Sequence, residues 1–180
     1  MRRKQPLTRD TILDAALELL DRHGLDNLSM RRLGSNLGVE AMSLYNHVAS
    51  KGELLDGIHE RILLSLEPPA NIRGWQSFCR HQAHALHRAL LAHPHAIPLF
   101  ATRPAATPAA IGRLNRYVEV LARAGFRPVD ALSVVQLVAQ LVVGHTMWTI
   151  SLDATPHQGP DRELEMGIDA LLHGFERLLS

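Results

Sequence analysis

The sequence predicts an all-α protein, on three observations. Apolar residues recur at the three-and-four spacing of amphipathic helices through most of the chain. Aromatic residues make up only 4%, and no strand-like alternation is flanked by hairpin turn signals. Helix-starting and helix-stopping residues punctuate the apolar stretches at regular intervals.

Taken in order, Ile12, Ala16, Leu19 and Leu20 form one apolar stripe, with Thr8 as its N-cap and Gly24 as its stop. Ser29 caps a second, short helix that ends at Gly38. A third runs from about Glu40 to Asn46. Ser50-Lys51-Gly52-Glu53 reads as a capping box, in which the hydroxyl and the carboxylate each satisfy an orphan backbone N–H. The helix it opens carries Leu54, Leu55, Ile58, Ile62 and Leu66. It stops at Pro68-Pro69, where ring sterics and a missing donor end it. That double proline is the clearest boundary in the chain and divides it into residues 1–67 and 68–180.

Beyond it, a helix from about Trp75 to Ala92 is followed by Pro94 and Pro98. Residues 101–110, rich in Ala, Thr and Pro, read as a loop or broken turn. Thr107-Pro108 is a cap with a proline at the first helical position, opening a helix to about Arg123. Pro128 starts the longest apolar segment, to about Leu152. A second loop covers residues 154–160, and Asp161 caps a final helix to Leu179. Val134, Val135, Val138, Leu141 and Val142 in the long helix exceed what one face needs to cover a monomer core. So do Leu171, Leu172, Phe175, Leu178 and Leu179 in the last one. An isologous dimer through helices 128–152 and 161–179 would hide that surface.

Composition excludes several classes. The chain has 180 residues with 46% hydrophobic and 21% charged, enough to bury a core and too apolar for disorder. The single cysteine, Cys79, cannot form an internal disulfide. The basic start Arg2-Arg3-Lys4 leads into polar residues instead of the apolar run of a signal peptide. No stretch reaches about 18 uninterrupted apolar residues, and Val134–Val143 is broken by Gln136 and Gln140, so no spanning helix and no membrane partner are expected. A soluble cytoplasmic protein is the default expectation. The net charge is only +1, and residues 1–67 carry nine Lys+Arg against ten Asp+Glu. If this part binds DNA, it does so by local geometry and not by bulk charge.

Two short helices around Gly38 carry the most information. Helix, tight glycine turn, helix is the layout that places a second helix in a DNA major groove. Leu33, Leu37, Val39, Leu44 and Val48 would form the small core between them. Gly34 lies mid-helix at a propensity cost of roughly 1 kcal/mol, which makes sense if another helix crosses closely there.

The run Gly38-Val39-Glu40-Ala41-Met42-Ser43-Leu44-Tyr45-Asn46-His47-Val48, followed by Lys51 and Leu54-Leu55-Asp56, resembles the DNA-reading unit of TetR-family repressors. The similarity is greatest to the tetracycline-responsive members, and it continues through Trp75-Gln76 with Phe78, Ala89-Leu90-Leu91, Thr102-Arg103-Pro104, Gly125-Phe126 and Ala131-Leu132. The resemblance implies a helix-turn-helix DNA-binding domain over 1–67, joined by a long helix to an α-helical effector-binding and dimerisation domain over 68–180. Its partners would be double-stranded palindromic DNA, a second copy of the chain and a small-molecule effector, with no cofactor.

It also implies roles for residues. Ala41, Met42 and Ser43 would enter the groove, where Ala41 and Met42 can touch a thymine methyl and Ser43 a base or a phosphate. Arg31 matches a guanine-reading arginine. Tyr45, His47 and Lys51 match phosphate contacts, with Ser29 adding a hydroxyl. Asn46 replaces a tryptophan, so together with Ala41 and Met42 it implies an operator other than the tetracycline operator. Arg2, Arg3 and Lys4 could form an arm reaching a groove. The effector cavity would be lined by Gln82, Leu86, Leu99, Arg103, Pro104, Tyr117, Met147 and Trp148. There the family's metal-binding histidine is replaced by Leu99, a second histidine by Glu67 and a carboxylate by Trp148. Leucine and tryptophan cannot hold a hard cation, so a tetracycline–magnesium chelate is not the expected effector. An apolar or aromatic molecule with a few polar anchors is expected in its place.

The eleven histidines raise a metal-sensing alternative within the same fold. His81, His84 and His87 recur every three residues and so drift round the helix, which favours a solvated polar face and no metal site. No nucleophile in a strained turn and no phosphate-binding glycine loop points to an enzyme. A helical module that binds protein in place of DNA is the remaining alternative.

Overall fold

The computed structural model describes residues 6–66, 73–151 and 160–179. Among these, all regular structure is helical: α1 Arg9–His23, α2 Met30–Leu37, α3 Ala41–Leu44, α4 Lys51–Ser65, α5 Trp75–Ala92, α6 Ile97–Thr102, α7 Pro108–Arg123, α8 Pro128–Ser151 and α9 Pro160–Phe175. Single 3₁₀ turns at Leu25–Asn27, Pro94–Ala96 and Glu176–Leu178 join or extend them. The segment with Glu67 and Pro68-Pro69, residues 152–159 and the basic residues Arg2, Arg3 and Lys4 lie outside the described residues.

Local chemistry sets the helix ends. Thr8 Oγ1 accepts from the Thr11 backbone, and the Thr11 hydroxyl accepts from the Thr8 N–H in return. Ser29 caps α2 through the Arg32 N–H, and Thr107 caps α7 through Ala110, with Pro108 next in line. Gly38 ends α2 at φ 68°, ψ 33°, a left-handed conformation that strains any residue with a Cβ. Ser50 caps α4 through Glu53 N–H, but the Glu53 carboxylate reaches Ala49 N–H at 2.6 Å. The box therefore closes one residue earlier than the sequence pattern predicts.

Two apolar cores result. The first is built by α1 to α4 from Ile12, Leu13, Leu20, Leu28, Leu33, Leu44, Leu54 and Ile58, all 1% exposed or less. The second is built around α8, which packs against α5, α6, α7 and α9. By length and composition α8 could cross a membrane, contrary to the expectation drawn from Gln136 and Gln140. In this fold it is the central helix of the second core.

Three further expectations change. Residues 101 and 102 close helix α6 and are not loop, because Pro98 falls in the first turn, where its missing N–H costs nothing. Val134, Val138, Val142, Leu172 and Phe175 are buried within the chain's own core, so the surplus apolar surface lies elsewhere. His84 and His87 are not a solvated face. His84 Nε2 meets Glu165 of α9 at 2.7 Å, and buried His87 bonds the Thr146 hydroxyl of α8 at 2.8 Å. Helix α5 packs against both α8 and α9, so most of its circumference is occupied.

Candidate nucleic-acid interface and effector cavity

Helix α3 is four residues long and held by one side chain. Leu44 is fully buried in the first core, and Val48 follows it in. That anchoring turns Met42 and Tyr45 outward, 71% and 42% exposed. Asn46 and His47 are exposed in the turn after α3, and Lys51 is exposed at the start of α4; Ala41 and Ser43 are half-buried. Arg31 and Ser29 are exposed at the start of α2. The nine residues expected to meet DNA thus fall at the start of α2, along α3 and the turn after it, and at the start of α4.

Close packing fixes the angle between α2 and α3. A Cβ added at Gly34 would lie 2.9 Å from the Val39 carbonyl and 3.1 Å from Ala41 N. Only glycine lets the start of α3 approach this near. Ser29 already accepts from Arg32 N–H, leaving its O–H free to donate. The amino end of α4 adds a partial positive charge beside Lys51.

The second core contains a small, partly open cavity of about 70 Å³. Its walls are Leu63, Leu66, Phe78, Cys79, Gln82, Ala83, Leu86, Leu114, Tyr117, Val135, Val138 and Ala139. Gln82 and Tyr117 are each 8% exposed, and neither the Gln82 amide atoms nor the Tyr117 hydroxyl has a hydrogen-bond partner. Burial raises the Tyr117 phenol above its ordinary value, with Arg113 and Arg116 opposing. Burial also pushes the Cys79 thiol up to about 12, so it is a small apolar wall and not a nucleophile.

Of the eight residues expected in this cavity, the structure brings Gln82, Leu86 and Tyr117 to it. Leu99 is 1% exposed and packs in the first core with Ala96. Met147 and Trp148 are 48% and 62% exposed on the outer face of α8, away from the cavity. Pro104 is exposed and Arg103 half-buried, and neither lines the cavity. Arg103 is turned the other way: its guanidinium bonds Asp56 at 2.6 and 3.0 Å and the Gly52 carbonyl at 3.2 Å. It ties the end of α6 to α4. Beside it His59 lies buried with its ring 4.2 Å from Phe100, edge to face. Burial lowers its pKa from 6.5; Asp56 and the Pro104 carbonyl raise it, and Arg103 lowers it.

Sequence reasoning missed most of the cavity wall. The signal was present as one stripe, Phe78-Gln82-Leu86 on α5, facing Leu114 and Tyr117 on α7. Among the described residues, no group of three or more His, Cys, Asp or Glu could hold a metal ion.

A helix-turn-helix held on a helical core with a partly open apolar cavity defines the architecture of a one-component regulator. Residues 12–58 match the model of bacterial regulatory proteins of the tetR family, and residues 67–175 match the tetracyclin repressor-like C-terminal domain. The chain belongs to the TetR family. It is 39% identical over 144 residues to an HTH-type transcriptional regulator of Saccharopolyspora erythraea, covering 79% of this chain and 61% of that one. It is 31% identical to the tetracycline repressor protein class D of Escherichia coli, covering 96% and 88%. A TetR variant from Acinetobacter baumannii AYE, solved in complex with minocycline, superposes with a TM-score of 0.86 at 31% identity, covering 97% of this chain and 99% of that one.

Proposed function

We propose that the protein is a ligand-responsive, sequence-specific repressor that binds a palindromic operator as a homodimer and is released by a small molecule other than tetracycline–magnesium. The observation that carries this is the outward Met42 and Tyr45 on a helix pinned by a fully buried Leu44. Exposing such side chains costs solvation unless something covers them, and the adjoining Arg31, His47 and Lys51 suit a phosphate-lined groove.

One recognition helix buries too little for tight specific binding, so two copies are needed, about 34–36 Å apart on the duplex. The exposed apolar set on α8 and α9 supports a two-fold partner. Leu137, Met147, Trp148 and Met166 stand outward, while Gly144 and Gly174 have open space in front of them. Large and small side chains on one face suit self-complementary packing. Met147 and Trp148 would thus serve the dimer and not the cavity.

Relatives solved or named with tetracycline-class drugs support a small-molecule effector. The cavity here offers an amide and a phenol in an apolar wall, with no charged side chain in its lining. A largely apolar molecule carrying its own donor and acceptor would satisfy Gln82 and Tyr117.

The test is selection of bound duplexes from a random pool, followed by affinity measurements over a salt series. Tyr45→Ala or Lys51→Ala is expected to weaken binding to every sequence and to flatten the salt dependence. Arg31→Ala or Ser43→Ala is expected to change the preferred sequence. A protein that shows no salt-dependent duplex binding, or that stays monomeric at micromolar concentration, would sink the proposal.

A further inference from the structure

Helix α4 has no cation of its own in its last turn, yet its final carbonyls are held. Arg113 of α7 sends Nη2 to both the Leu64 and the Leu66 carbonyl oxygens, each at 2.9 Å. Arg113 is 8% exposed and its Nε has no partner. Among the described residues no carboxylate pairs with it. These two bonds tie a deeply buried guanidinium on α7 to the main chain at the end of α4.

Its surroundings lead back to the cavity. The guanidinium carbon lies 5.9 Å from the Tyr117 ring centroid, one helical turn further along α7. Tyr117 in turn meets Phe78 edge to face at 5.5 Å, and Leu114, Tyr117 and Phe78 all line the cavity. Arg113 therefore joins the α7 wall of the cavity to the carboxyl end of α4, whose own Leu63 and Leu66 also face the cavity. The amino half of α4 is held by a different arginine, Arg103, through Asp56 and the Gly52 carbonyl, and Arg103 does not touch the cavity. Helix α4 is pinned near both ends by the core, but only one pin rests on the cavity wall.

We propose that Arg113 is the positioning residue that carries cavity occupancy to α4, and through α4 to Lys51 and the recognition helix; this rests on the effector reading given above. A molecule seated in the cavity displaces Leu114 and Tyr117. Arg113 is on the same helix and moves with them, taking the Leu64 and Leu66 carbonyls along. Helix α4 has 15 residues and is about 22 Å long. A rod of that length carries a shift at its carboxyl end to its amino end. The effector then disfavours DNA only to the extent that it prefers the shifted arrangement.

The test is a double-mutant cycle in the full-length protein that needs no knowledge of the natural effector. Ala83→Leu fills the cavity from α5 and acts as the built-in ligand. On a selected operator, Ala83→Leu is expected to lower affinity about tenfold in the otherwise wild-type chain, and by less than about twofold in the Arg113→Met background. Arg113→Lys, which keeps a cation, should recover part of the coupling. Arg103→Met should lower operator affinity by the same factor whether the cavity is filled or not. If Arg113→Met fails to fold by circular dichroism, Tyr117→Leu removes the ring beneath the guanidinium, leaves the carbonyl bonds, and should reduce the coupling in the same sense. An equal drop with and without Arg113 overturns the relay and leaves the effector reading standing. No drop on filling the cavity in the wild-type background overturns both.

Discussion

The two cores of this molecule are built to opposite specifications. The first, under the helix-turn-helix, is made of fully buried aliphatic side chains from α1 to α4, joined by Ala96 and Leu99 from the second half of the chain. Its close approaches at Gly34 and Gly57 leave no room for a methyl group. The second core encloses free volume and tolerates an unpaired amide and phenol in its walls. Filled packing holds Met42 and Tyr45 in a fixed place, and rigidity is what a DNA-reading surface requires. Free volume lets the second core change when something enters it. Polar contacts cross the seam between the cores beside these apolar ones: Arg103 with Asp56 and His93 with Asp21 at 2.9 Å, with buried His59 against Phe100.

This contrast can be broken by measurement. The largest effect is expected in the first core, where Leu54→Ala should cost about 2–5 kcal/mol by denaturant unfolding, because the site is full and collapses poorly. Leu86→Ala, in a wall that already faces free space, should cost less than about 2 kcal/mol. Equal costs would show that the two cores are packed alike.

Gly34→Ala comes next. Overpacking should cost about 1–3 kcal/mol and should also weaken operator binding, since Ala41 and Met42 must shift away from the added methyl group. Unchanged stability together with unchanged operator binding would mean that the α2–α3 contact is not set by contact at Gly34.

The seam is expected to respond to acid. Burial, the largest influence on His59, lowers its pKa below 6.5, so the folded protein binds a proton there less readily than the unfolded chain does. Stability from this group is complete above about pH 6.5, is lost as pH falls below that value, and levels off below the folded pKa. His59→Phe should flatten stability over that window, as read by thermal unfolding between pH 7.5 and about 5. A wild-type slope that survives the substitution would assign the acid response to other groups.

The smallest effect is expected at Gln82. Replacing an unpaired buried amide with an apolar group of similar size should leave stability within about 1 kcal/mol of wild type, or raise it, while weakening binding of any effector that bonds the amide. A large loss of stability would show that the amide already has a partner.

The helices were legible because their signals are local. Thr8, Ser29, Ser50 and Thr107 mark starts through a hydroxyl and a backbone N–H three residues away, and Gly38 marks an end through its own φ. The outward stance of Met42 was expected only through the resemblance to a DNA-reading unit, and its side chain is exposed. Cavity membership was not. Leu99 and Leu86 are both buried leucines on helices, and nothing in their spacing says that one joins the first core and the other the second. Trp148 and Val138 lie on one continuous apolar helix, and only the packing of α5, α7 and α9 decides which side of α8 is covered.

Sequence by itself therefore determined most helix starts, though not helix α6 or the end of α9, and which short pair could present side chains to DNA, since hydrogen bonds within four residues and backbone sterics are properties of neighbours in the chain. Tertiary structure alone decided which apolar residues surround free volume, that Arg103 faces Asp56, and that Arg113 reaches the end of α4. Those pairings join positions about fifty residues apart, and their distances exist only once the helices have packed.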